Sequence, residues 1–564
     1  MRRAPGRIGL TLLPYGILIA GRWILTMYFD GHAQTLLQAF VPFLFSLLLF
    51  YVVAIFIHPL WAACVSLGLE MLLLQAGQIK IEKIGDPVTA RDLLDIGQAF
   101  SLTGYAPVSL YVTAGLTLLA LVLGWKYRRR GWRELAGRLP LALPMFLLVW
   151  VYAGAEGHVA QAAREALCRM SICYYSWNPV GNVQANGVLA HVLMTAEAVQ
   201  VPQPGPHDFY VHQAPLVLKP DRPDVMMILC ESCFTTSDDR FRTALHALDR
   251  HGFDPFVLLS PVYGGNTPEA EFETLTGLSS AVFPGVDYQD FHDLYRPDAR
   301  TLARRFVDAG YTTLSLHNFH ASFWKRNRVL PRFGFQRSIF IEDMDTTGMP
   351  ADSWPPDGIL YRQALKEYDA LPPNQPVFMY LLTMYSHGDY VPETGDFGEA
   401  DYRRRLASAV DDLLAFLDAI EAAARKKGRP LAVVIFGDHK PSLTGVFQRR
   451  HVLPADLFSS VPEAGTVPRF VLQPSYPLWK ARARINAYVR LPDPAASAAL
   501  ARRLNDKPMF CLASELSALT EGEDDAFWMA VNAICQRSDD ELAAETGNAW
   551  ARYFPKPVYA ERLF

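Results

Sequence analysis

The chain has 564 residues, which exceeds one compact domain and indicates two or three units. Its formal net charge of −4 argues against a nucleic-acid-binding protein, because phosphate backbones require concentrated Lys and Arg. Seven cysteines in so long a chain do not form a disulfide scaffold. Hydrophobic residues make up 51% of the chain, and apolar runs dominate its first third.

The N-terminal part of the sequence is typical of a membrane protein. Five apolar runs reach or approach the length of a membrane-spanning helix: residues 8–28, 35–56, 58–76, 107–125 and 139–155. A buried core helix would explain one such run, but not five in succession. The first run is flanked by arginines and no small-residue cleavage site follows it, so we interpret it as a retained anchor and not as a signal peptide. We therefore predict a transmembrane domain of about five helices over residues 1–157.

The basic residues between these runs predict the orientation of the protein. The segment KYRRRGWRELAGR, residues 126–138, lies between the fourth and fifth runs. Short loops rich in Lys and Arg stay on the cytoplasmic side, so this segment and the N-terminus are expected there. The chain would then leave the fifth span on the outer side. The residues after the fifth span are therefore expected on the extracytoplasmic side.

The rest of the chain has the pattern of a soluble α/β protein. Residues 158–221 read as a helical linker, and residues 222–564 as a separate α/β domain. Short apolar runs at 224–231, 312–317, 376–387 and 431–439 alternate with helical stretches such as 300–310 and 402–428. This alternation predicts a doubly wound α/β domain with a parallel sheet, whose ligand site lies at the carboxyl ends of the strands.

Polar residues collect at those strand ends. Glu231 ends the first run, His317 the second and His387 the third, while Asp438 and His439 end the last. Each has a structural alternative, because a lone histidine is often a buried core residue and an Asp-His pair often caps a strand. Together, carboxylates and imidazoles at one sheet edge favour a divalent metal site.

A hydroxyl group lies between the first two of these strands. In YGGNTPEAEFETLTGL, residues 263–278, Thr267 follows a Gly-Gly-Asn turn and precedes a predicted helix, with Pro268 suited to its first turn. Backbone N–H groups and the helix dipole would favour a phosphoryl group there. Downstream, Trp324 and Arg326 offer an apolar wall and a bidentate phosphate ligand. The alternative is a solvated basic loop with one buried aromatic residue.

With these residues in place, the chain resembles the lipoteichoic acid synthase-like, phosphoglycerol transferase family of the alkaline phosphatase–sulfatase superfamily. The resemblance covers nearly the whole chain and implies metal ligands, a nucleophile and substrate contacts. It also implies a multi-pass protein of the bacterial plasma (inner) membrane, with a periplasmic or extracellular catalytic domain over residues 222–564. The implied metal ligands are Glu231, Thr267, Asp438 and His439, and the implied metal is Mn²⁺, with Mg²⁺ or Zn²⁺ as alternatives. Thr267 is also the implied nucleophile, and the implied substrate contacts are His317, Trp324, Arg326 and His387. Two positions depart from the family pattern, since Phe319 occupies a polar position and Ser442 comes one place early.

This resemblance implies a two-step transfer of phosphoglycerol from phosphatidylglycerol to a glycan or glycolipid acceptor through a phospho-threonine at Thr267. His387 is the expected general acid or base, while Arg326 and His317 are expected to hold phosphate oxygens. The alternative within the superfamily is a phosphoethanolamine transferase or another phosphoesterase. A formylglycine sulfatase is disfavoured, because no cysteine is followed by x-P-x-R. Outside enzymes, a degenerate membrane-bound sensor or scaffold remains an alternative, whereas a transporter is disfavoured by the few charges in the apolar runs.

The segment MMILCESCF, residues 226–234, contains a C-x-x-C pair and thus resembles a redox or zinc motif. The thiols lack downstream partners, whereas Glu231 between them begins the series of strand-end ligands. We therefore interpret the carboxylate as the working group. Cys230 and Cys233 are either bridged in an oxidising compartment, or Cys230 is buried as a small apolar side chain.

Overall fold

The structure is a computed structural model. It describes residues 5–30, 36–84, 87–94, 107–128, 132–154, 158–170, 172, 179–196, 222–280, 301–349, 354–388, 390–393, 396–458, 470, 475–520 and 526–537. The chain divides into two compact units, one of residues 1–82 and 86–200 and the other of residues 83–85 and 201–564. The domain boundaries predicted at residues 157 and 221 stay predictions.

The first unit is helical over its described residues. Its helices are α1 Pro5–Asp30, α2 Leu36–Phe56, α3 Pro59–Ile84, α4 Ala90–Leu94, α5 Val108–Lys126, α6 Trp132–Val149, which continues as a π-helical turn Trp150–Gly154, α7 His158–Arg169, α8 Pro179–Asn186 and α9 Val188–Thr195. The five predicted apolar runs fall on α1, α2, α3, α5 and α6. Two helical segments, Pro59–Lys80 and Val108–Lys126, are long and apolar enough to cross a membrane by length and composition. Leu12–Thr26, Phe40–Phe56 and Gly137–Ala153 are apolar but shorter, so a membrane domain of five helices stays a prediction.

A buried ion pair joins two of these helices. Arg22 of α1 lies 3.4 Å from the Glu70 carboxylate of α3, and the Ser46 hydroxyl of α2 donates to the same carboxylate at 2.6 Å. These contacts offset the cost of burying the charges. The apolar runs thus contain a paired charge in the interior of the unit.

The second unit is built on a sheet of eight strands in the order β4-β3-β5-β1-β6-β7-β2-β8. The strands are β1 Asp224–Cys230, β2 Asp254–Leu259, β3 Thr312–His317, β4 Arg337–Phe340, β5 Val377–Leu382, β6 Leu431–Gly437, β7 Arg484–Arg490 and β8 Lys507–Pro508. The helices are α10 Thr267–Thr276, α11 Leu302–Asp308, α12 Arg326–Phe333, α13 Asp357–Ala370, α14 Glu399–Lys427, α15 Thr444–Arg449, α16 Tyr476–Ala483, α17 Pro494–Leu504, α18 Phe510–Ser517 and α19 Ala526–Cys535.

The central strands are buried on both faces, which explains their continuous apolar sequences. In β1, Val225, Met227 and Leu229 join the hydrophobic cluster on one face. Met226 and Ile228 join the cluster on the other face, because successive side chains of a strand point to opposite sides. A sheet with apolar cores on both faces is the mixed α/β architecture that the sequence predicted.

The sheet is mixed, whereas the sequence predicted a parallel sheet. Strands β4, β3, β5, β1 and β6 are parallel neighbours, but β7 pairs antiparallel with both β6 and β2. Antiparallel strands are common outside the parallel core of such sheets. The predicted parallel arrangement therefore holds for the strands that carry the polar residues.

One predicted strand end is wrong. Strand β5 ends at Leu382, five positions before His387. Beyond it, the backbone leaves the ladder, because the N–H groups of Met384 and Tyr385 both donate to the Asp357 carboxylate, at 2.9 and 3.1 Å. His387 therefore lies in the turn after the strand, whereas Glu231, His317 and Asp438 lie at or directly after their strand ends.

Candidate active site

Two carboxylates and one imidazole meet at the carboxyl ends of β1 and β6. Glu231, Asp438 and His439 are all buried, and each offers one ligand atom within 4.8 Å of the others. His439 Nε2 lies 3.2 Å from Asp438 Oδ2 and 3.6 Å from Glu231 Oε1. Adjacent parallel strands β1 and β6 place these side chains together although they are about two hundred positions apart in the sequence.

The turn that carries Glu231 is held on several sides. Ser232 adopts a left-handed backbone conformation, with φ of 52°, that an L-residue rarely occupies. Its hydroxyl donates to Glu231 Oε1 at 2.8 Å and its N–H donates to Asp438 Oδ1 at 2.8 Å. The Glu231 N–H donates to the Thr383 hydroxyl at 2.9 Å. Sequence analysis assigned no role to Ser232 or Thr383, whose contacts fix the carboxylate in place.

These residues fit a divalent metal ion. The His439 Nδ1–H donates to the Lys440 carbonyl at 2.9 Å, which leaves the Nε2 lone pair directed at two carboxylates. That buried Nε2 atom makes no hydrogen bond. Burial and the nearby Asp438 carboxylate together raise the pKa of Glu231 to about 8. The two buried carboxylates repel each other when both are ionised, and His439 Nε2 has no hydrogen-bond donor. A divalent cation would satisfy both the carboxylates and this nitrogen.

Thr267 lies against this cluster. It is the first residue of α10, after Asn266 in a left-handed conformation with φ of 66° and before Pro268 in the first turn. Its hydroxyl donates to Asp438 Oδ2 at 2.8 Å, so Thr267 Oγ1 lies beside the cluster of Glu231, Asp438 and His439.

 Thr267 is only 6% exposed, so a group bound to its hydroxyl is shielded from bulk water.

A cavity opens beside Thr267. It is lined by Leu229, Glu231, Thr267, His317, Phe323, Trp324, Arg326, Leu382, Thr383, Met384 and His387. The predicted nucleophile, one predicted metal ligand and all four predicted substrate contacts therefore face one space. The two remaining predicted ligands, Asp438 and His439, adjoin it through Glu231 and Thr267. The roles of these residues stay predictions.

Arg326 is held in the cavity wall by two buried partners. Its Nε and Nη2 donate to Glu271 Oε1, at 3.1 and 2.6 Å, and its Nη1 donates to His317 Nε2 at 3.1 Å. The sequence analysis missed Glu271. The signal that could have found it is its spacing, because it lies four positions after Thr267 and therefore on the same side of α10.

His317 is neutral and its tautomer is set by its neighbours. Its Nδ1–H donates to the Leu382 carbonyl at 3.0 Å, so Nε2 is the atom that accepts from Arg326. Burial, followed by the Arg326 charge, lowers the pKa of His317 well below its ordinary value. In this arrangement His317 presents no N–H to a phosphate oxygen, and its contact orients Arg326 instead.

His387 also lines the cavity, in a half-buried position. Its Nδ1–H donates to the Gly388 carbonyl, which leaves Nε2 as the atom able to exchange a proton. The Trp354 ring packs 4.5 Å from the imidazole, and Arg405 donates to the His387 carbonyl at 3.2 Å. These contacts fix the ring outside the regular strand.

The aromatic residues form one border of the cavity. Trp324 and Lys325 both have φ of 53°, so the backbone is locally strained where it brings Trp324 and Arg326 to the site. Phe319 packs against Phe323 and Trp354, with ring centroids 5.0 and 5.4 Å apart. The position that departs from the family pattern is thus part of an aromatic cluster.

The other departing position lies close to the His387 turn. A Cβ atom placed on Gly388 would lie 3.2 Å from the Ser442 hydroxyl oxygen. The early placement of Ser442 in the sequence therefore still brings it beside the site.

Asp357 is a further residue that the sequence analysis missed. Its carboxylate accepts from the Asn318 amide at 3.1 Å as well as from the two N–H groups after β5, so it joins the segments that follow β3 and β5. Burial raises the pKa of Asp357 to about 6. Nothing in the sequence distinguishes this aspartate from an ordinary helix N-terminal residue.

Comparison with known proteins agrees with this architecture. The sulfatase family model matches residues 224–483, which span β1 to the end of α16 and include Glu231, Asp438 and His439. The match confirms the resemblance to the alkaline phosphatase–sulfatase superfamily, whose members are hydrolases and transferases.

Two curated relatives come from Rhizobium meliloti. One, named for the modification of cyclic β-1,2-glucan, is 26% identical over 373 residues, which are 60% of this chain and 55% of that protein. The other is the capsular polysaccharide biosynthesis protein RkpI, 28% identical over 199 residues, which are 33% of this chain and 34% of that protein. The chain thus spans about half or less of the length of these relatives.

Among solved structures, the chain is similar to the phosphoglycerol transferase GacH of Streptococcus pyogenes in complex with sn-glycerol-1-phosphate. The sequence identity is 15%, the TM-score is 0.42, and the alignment covers 61% of this chain and 87% of that one.

Proposed function

We propose that this protein is a membrane-anchored, metal-dependent transferase that moves a phosphoglycerol head group from phosphatidylglycerol to an envelope glycan or glycolipid. The observation that carries the proposal is the hydrogen bond from the Thr267 hydroxyl to Asp438, beside a cavity that also contains Arg326 and His387. A hydroxyl, an anion-binding guanidinium and a proton-exchanging imidazole around one cavity suit phosphoryl transfer.

Glu231, Thr267, Asp438 and His439 would hold the metal ion, which supplies positive charge that lowers the pKa of the Thr267 hydroxyl and neutralises phosphate oxygens. The hydroxyl proton is directed at Asp438 Oδ2, so the Thr267 Oγ1 lone pairs are available to the phosphorus. Asp438 Oδ2 takes the hydroxyl proton as Oγ1 forms a bond to phosphorus and the bond from phosphorus to the diacylglycerol oxygen breaks. This step leaves the phosphoglycerol group on Thr267 as a diester.

His387 supplies the proton that the departing diacylglycerol oxygen requires, through Nε2. In the second step, the same nitrogen takes a proton from the acceptor hydroxyl as that oxygen bonds to phosphorus. Thr267 Oγ1 leaves and takes back its proton from Asp438 Oδ2. Arg326 binds phosphate oxygens from the cavity wall. Trp324 forms an apolar wall beside the head group.

Different observations support the glycan acceptor and the membrane location of the enzyme. The two Rhizobium meliloti relatives are named for glucan modification and polysaccharide biosynthesis, which supports a glycan acceptor. Two helices long and apolar enough to cross a membrane support an anchored enzyme that reaches an amphiphilic donor. We place the catalytic domain on the extracytoplasmic side on the basis of the basic segment at residues 126–138.

The test incubates the full-length protein in detergent micelles with labelled phosphatidylglycerol and Mn²⁺. We expect release of diacylglycerol and a mass increase of one phosphoglycerol group on Thr267, both lost on chelation of the metal. The Thr267→Ala variant is expected to lose activity by at least about 1,000-fold, because the covalent step needs the hydroxyl.

Parallel reactions with phosphatidylethanolamine identify the donor. Cleavage of phosphatidylethanolamine in place of phosphatidylglycerol would replace the proposed head group by phosphoethanolamine. Full activity of Thr267→Ala, or retention of cellular function by that variant without turnover, would contradict the proposed mechanism.

A further inference from the structure

We propose that Glu271 is a positioning residue, which fixes the guanidinium of Arg326 relative to the nucleophilic hydroxyl of Thr267. The inference rests on the proposed function, since it concerns the phosphate-binding role of Arg326. It adds a residue that neither the sequence pattern nor the family resemblance assigned.

The first support is the geometry of the ion pair. Glu271 Oε1 accepts from both Nε and Nη2 of Arg326, at 3.1 and 2.6 Å. Contact through two nitrogens fixes the plane of the guanidinium and not only its distance. The third contact, from Nη1 to His317 Nε2, holds the opposite side of the group. The orientation of Arg326 is therefore set before any substrate binds.

Burial makes this contact decisive for the site. The side chains of Arg326 and Glu271 are 3% and 0% exposed, respectively. A buried guanidinium that loses its carboxylate partner is strongly destabilised, because neither water nor another charge replaces the lost contact. Removal of Glu271 would therefore move or expose Arg326, and would not leave it in the cavity wall.

The position of Glu271 on its helix links the ion pair to the reaction. Thr267 and Glu271 lie one turn apart on α10, so one rigid element carries the nucleophile and the partner of the arginine. Arg326 itself lies at the start of α12 and would otherwise be positioned independently of Thr267. The ion pair converts two separate elements into one arrangement with a fixed distance from hydroxyl to guanidinium, which phosphoryl transfer requires.

The test is a double-mutant cycle on diacylglycerol release by the full-length protein in micelles with Mn²⁺. We expect Glu271→Gln to lower kcat/KM by about 30-fold and Arg326→Gln by about 100-fold, which are typical losses for oriented charge contacts in active sites. The double variant should fall within about 3-fold of Arg326→Gln alone, because Glu271 acts through Arg326.

Glu273→Gln is the matched control. Glu273 is also buried on α10, but it accepts from the Ser280 N–H at 3.0 Å and does not line the cavity. We expect it to retain activity within about 3-fold of the wild type, as substitutions outside reacting groups commonly do. A loss as large as that of Glu271→Gln would show that the helix is merely sensitive to substitution, and would overturn the proposal.

Melting temperatures of the same variants test the pairing without any substrate. Each single variant leaves a buried group without its charge partner, so the double variant should melt at a higher temperature than Glu271→Gln. Additive losses in both kcat/KM and melting temperature would overturn the positioning role. If the wild type cleaves no phospholipid while the melting temperatures are coupled, the proposed function fails and the pairing of Glu271 with Arg326 stands.

Discussion

At the scale of single residues, the site depends on polar groups whose partners are other buried side chains. Asp357 shows this most clearly, because one carboxylate oxygen accepts from the Asn318 side chain and from two backbone N–H groups. It thereby holds together the segments that carry His317 and His387. The Asp357 carboxylate thus contributes to the site by placing His317 and His387, and it does not line the cavity itself.

The raised pKa of Asp357 predicts a specific pH dependence of stability. A pKa of about 6 in the folded protein, against about 3.8 in the unfolded chain, means that the stabilising contribution is complete below pH 4 and is lost as the pH rises through 6. Asp357→Asn removes this loss while keeping an oxygen that accepts hydrogen bonds. The free energy of unfolding of the variant, relative to the wild type, should therefore rise by about 3 kcal/mol between pH 4 and pH 8.

The measurement follows thermal unfolding of the full-length protein in detergent across that range. A difference between variant and wild type that stays constant with pH would contradict the raised pKa. Asp396→Asn is a suitable control, because N–H contacts lower the pKa of that exposed carboxyl instead of burial raising it.

At the scale of elements, a disulfide closes the turn that follows β1. Cys230 and Cys233 are bridged, and Glu231 lies between them. The bridge settles the first of the two alternatives that the sequence left open. A second disulfide, Cys511–Cys535, joins α18 to α19, and neither helix contributes a residue to the cavity lining or to the cluster of Glu231, Asp438 and His439. The two bridges differ in loop length, and only the first flanks a site residue, so their contributions are separable.

Removal of the first bridge is expected to weaken both metal binding and folding, whereas removal of the second is expected to weaken folding alone. In Cys230→Ala/Cys233→Ala, Glu231 loses a constraint on its turn, so the dissociation constant for Mn²⁺ should rise by about 10-fold, as for loss of other groups that support a ligand. In Cys511→Ala/Cys535→Ala, the longer loop predicts a larger loss of stability, about 3 against about 2 kcal/mol, with metal affinity changed by less than about 3-fold.

Titration calorimetry with Mn²⁺ and thermal unfolding measure the two quantities on the same samples. Equal metal affinity of the wild type and the Cys230/Cys233 variant would show that the hydrogen bonds of Ser232 and Thr383 suffice to hold Glu231.

At the scale of the whole molecule, the chain combines a helical unit that contains two candidate membrane spans with a unit whose residues 224–483 match the sulfatase family model. A lipid donor and a soluble catalytic domain are compatible when the domain is tethered to the bilayer that contains the donor. The charge bias of the segments between apolar runs then decides on which side catalysis takes place.

This orientation predicts opposite labelling of two engineered cysteines. In a Cys64→Ala background, Ser237→Cys in the catalytic domain should react with a membrane-impermeant maleimide in intact spheroplasts. Tyr127→Cys, in the basic segment, should react only after the membrane is permeabilised. Both positions are exposed, so accessibility within the protein does not separate them. Labelling of Tyr127→Cys in intact spheroplasts would contradict the predicted topology.

The sequence alone determined the elements and most of the polar residues of the site. Continuous apolar runs predicted β1, β3, β5 and β6, because strands buried on both faces admit few polar residues. The strand-end rule then selected Glu231, Asp438 and His439, which adjacent parallel strands necessarily bring together. These inferences needed only local pattern and the geometry of parallel sheets.

Only the tertiary structure decided which residues support those groups. Glu271 and Asp357 resemble ordinary helical carboxylates in sequence, and their roles come from partners 55 and 27 positions away. The turn after β5 and the antiparallel β7 likewise depend on contacts between distant segments. Hydrogen bonds and ion pairs between such segments leave no periodic signal along the chain, so they emerge only when folding places both partners in one buried space.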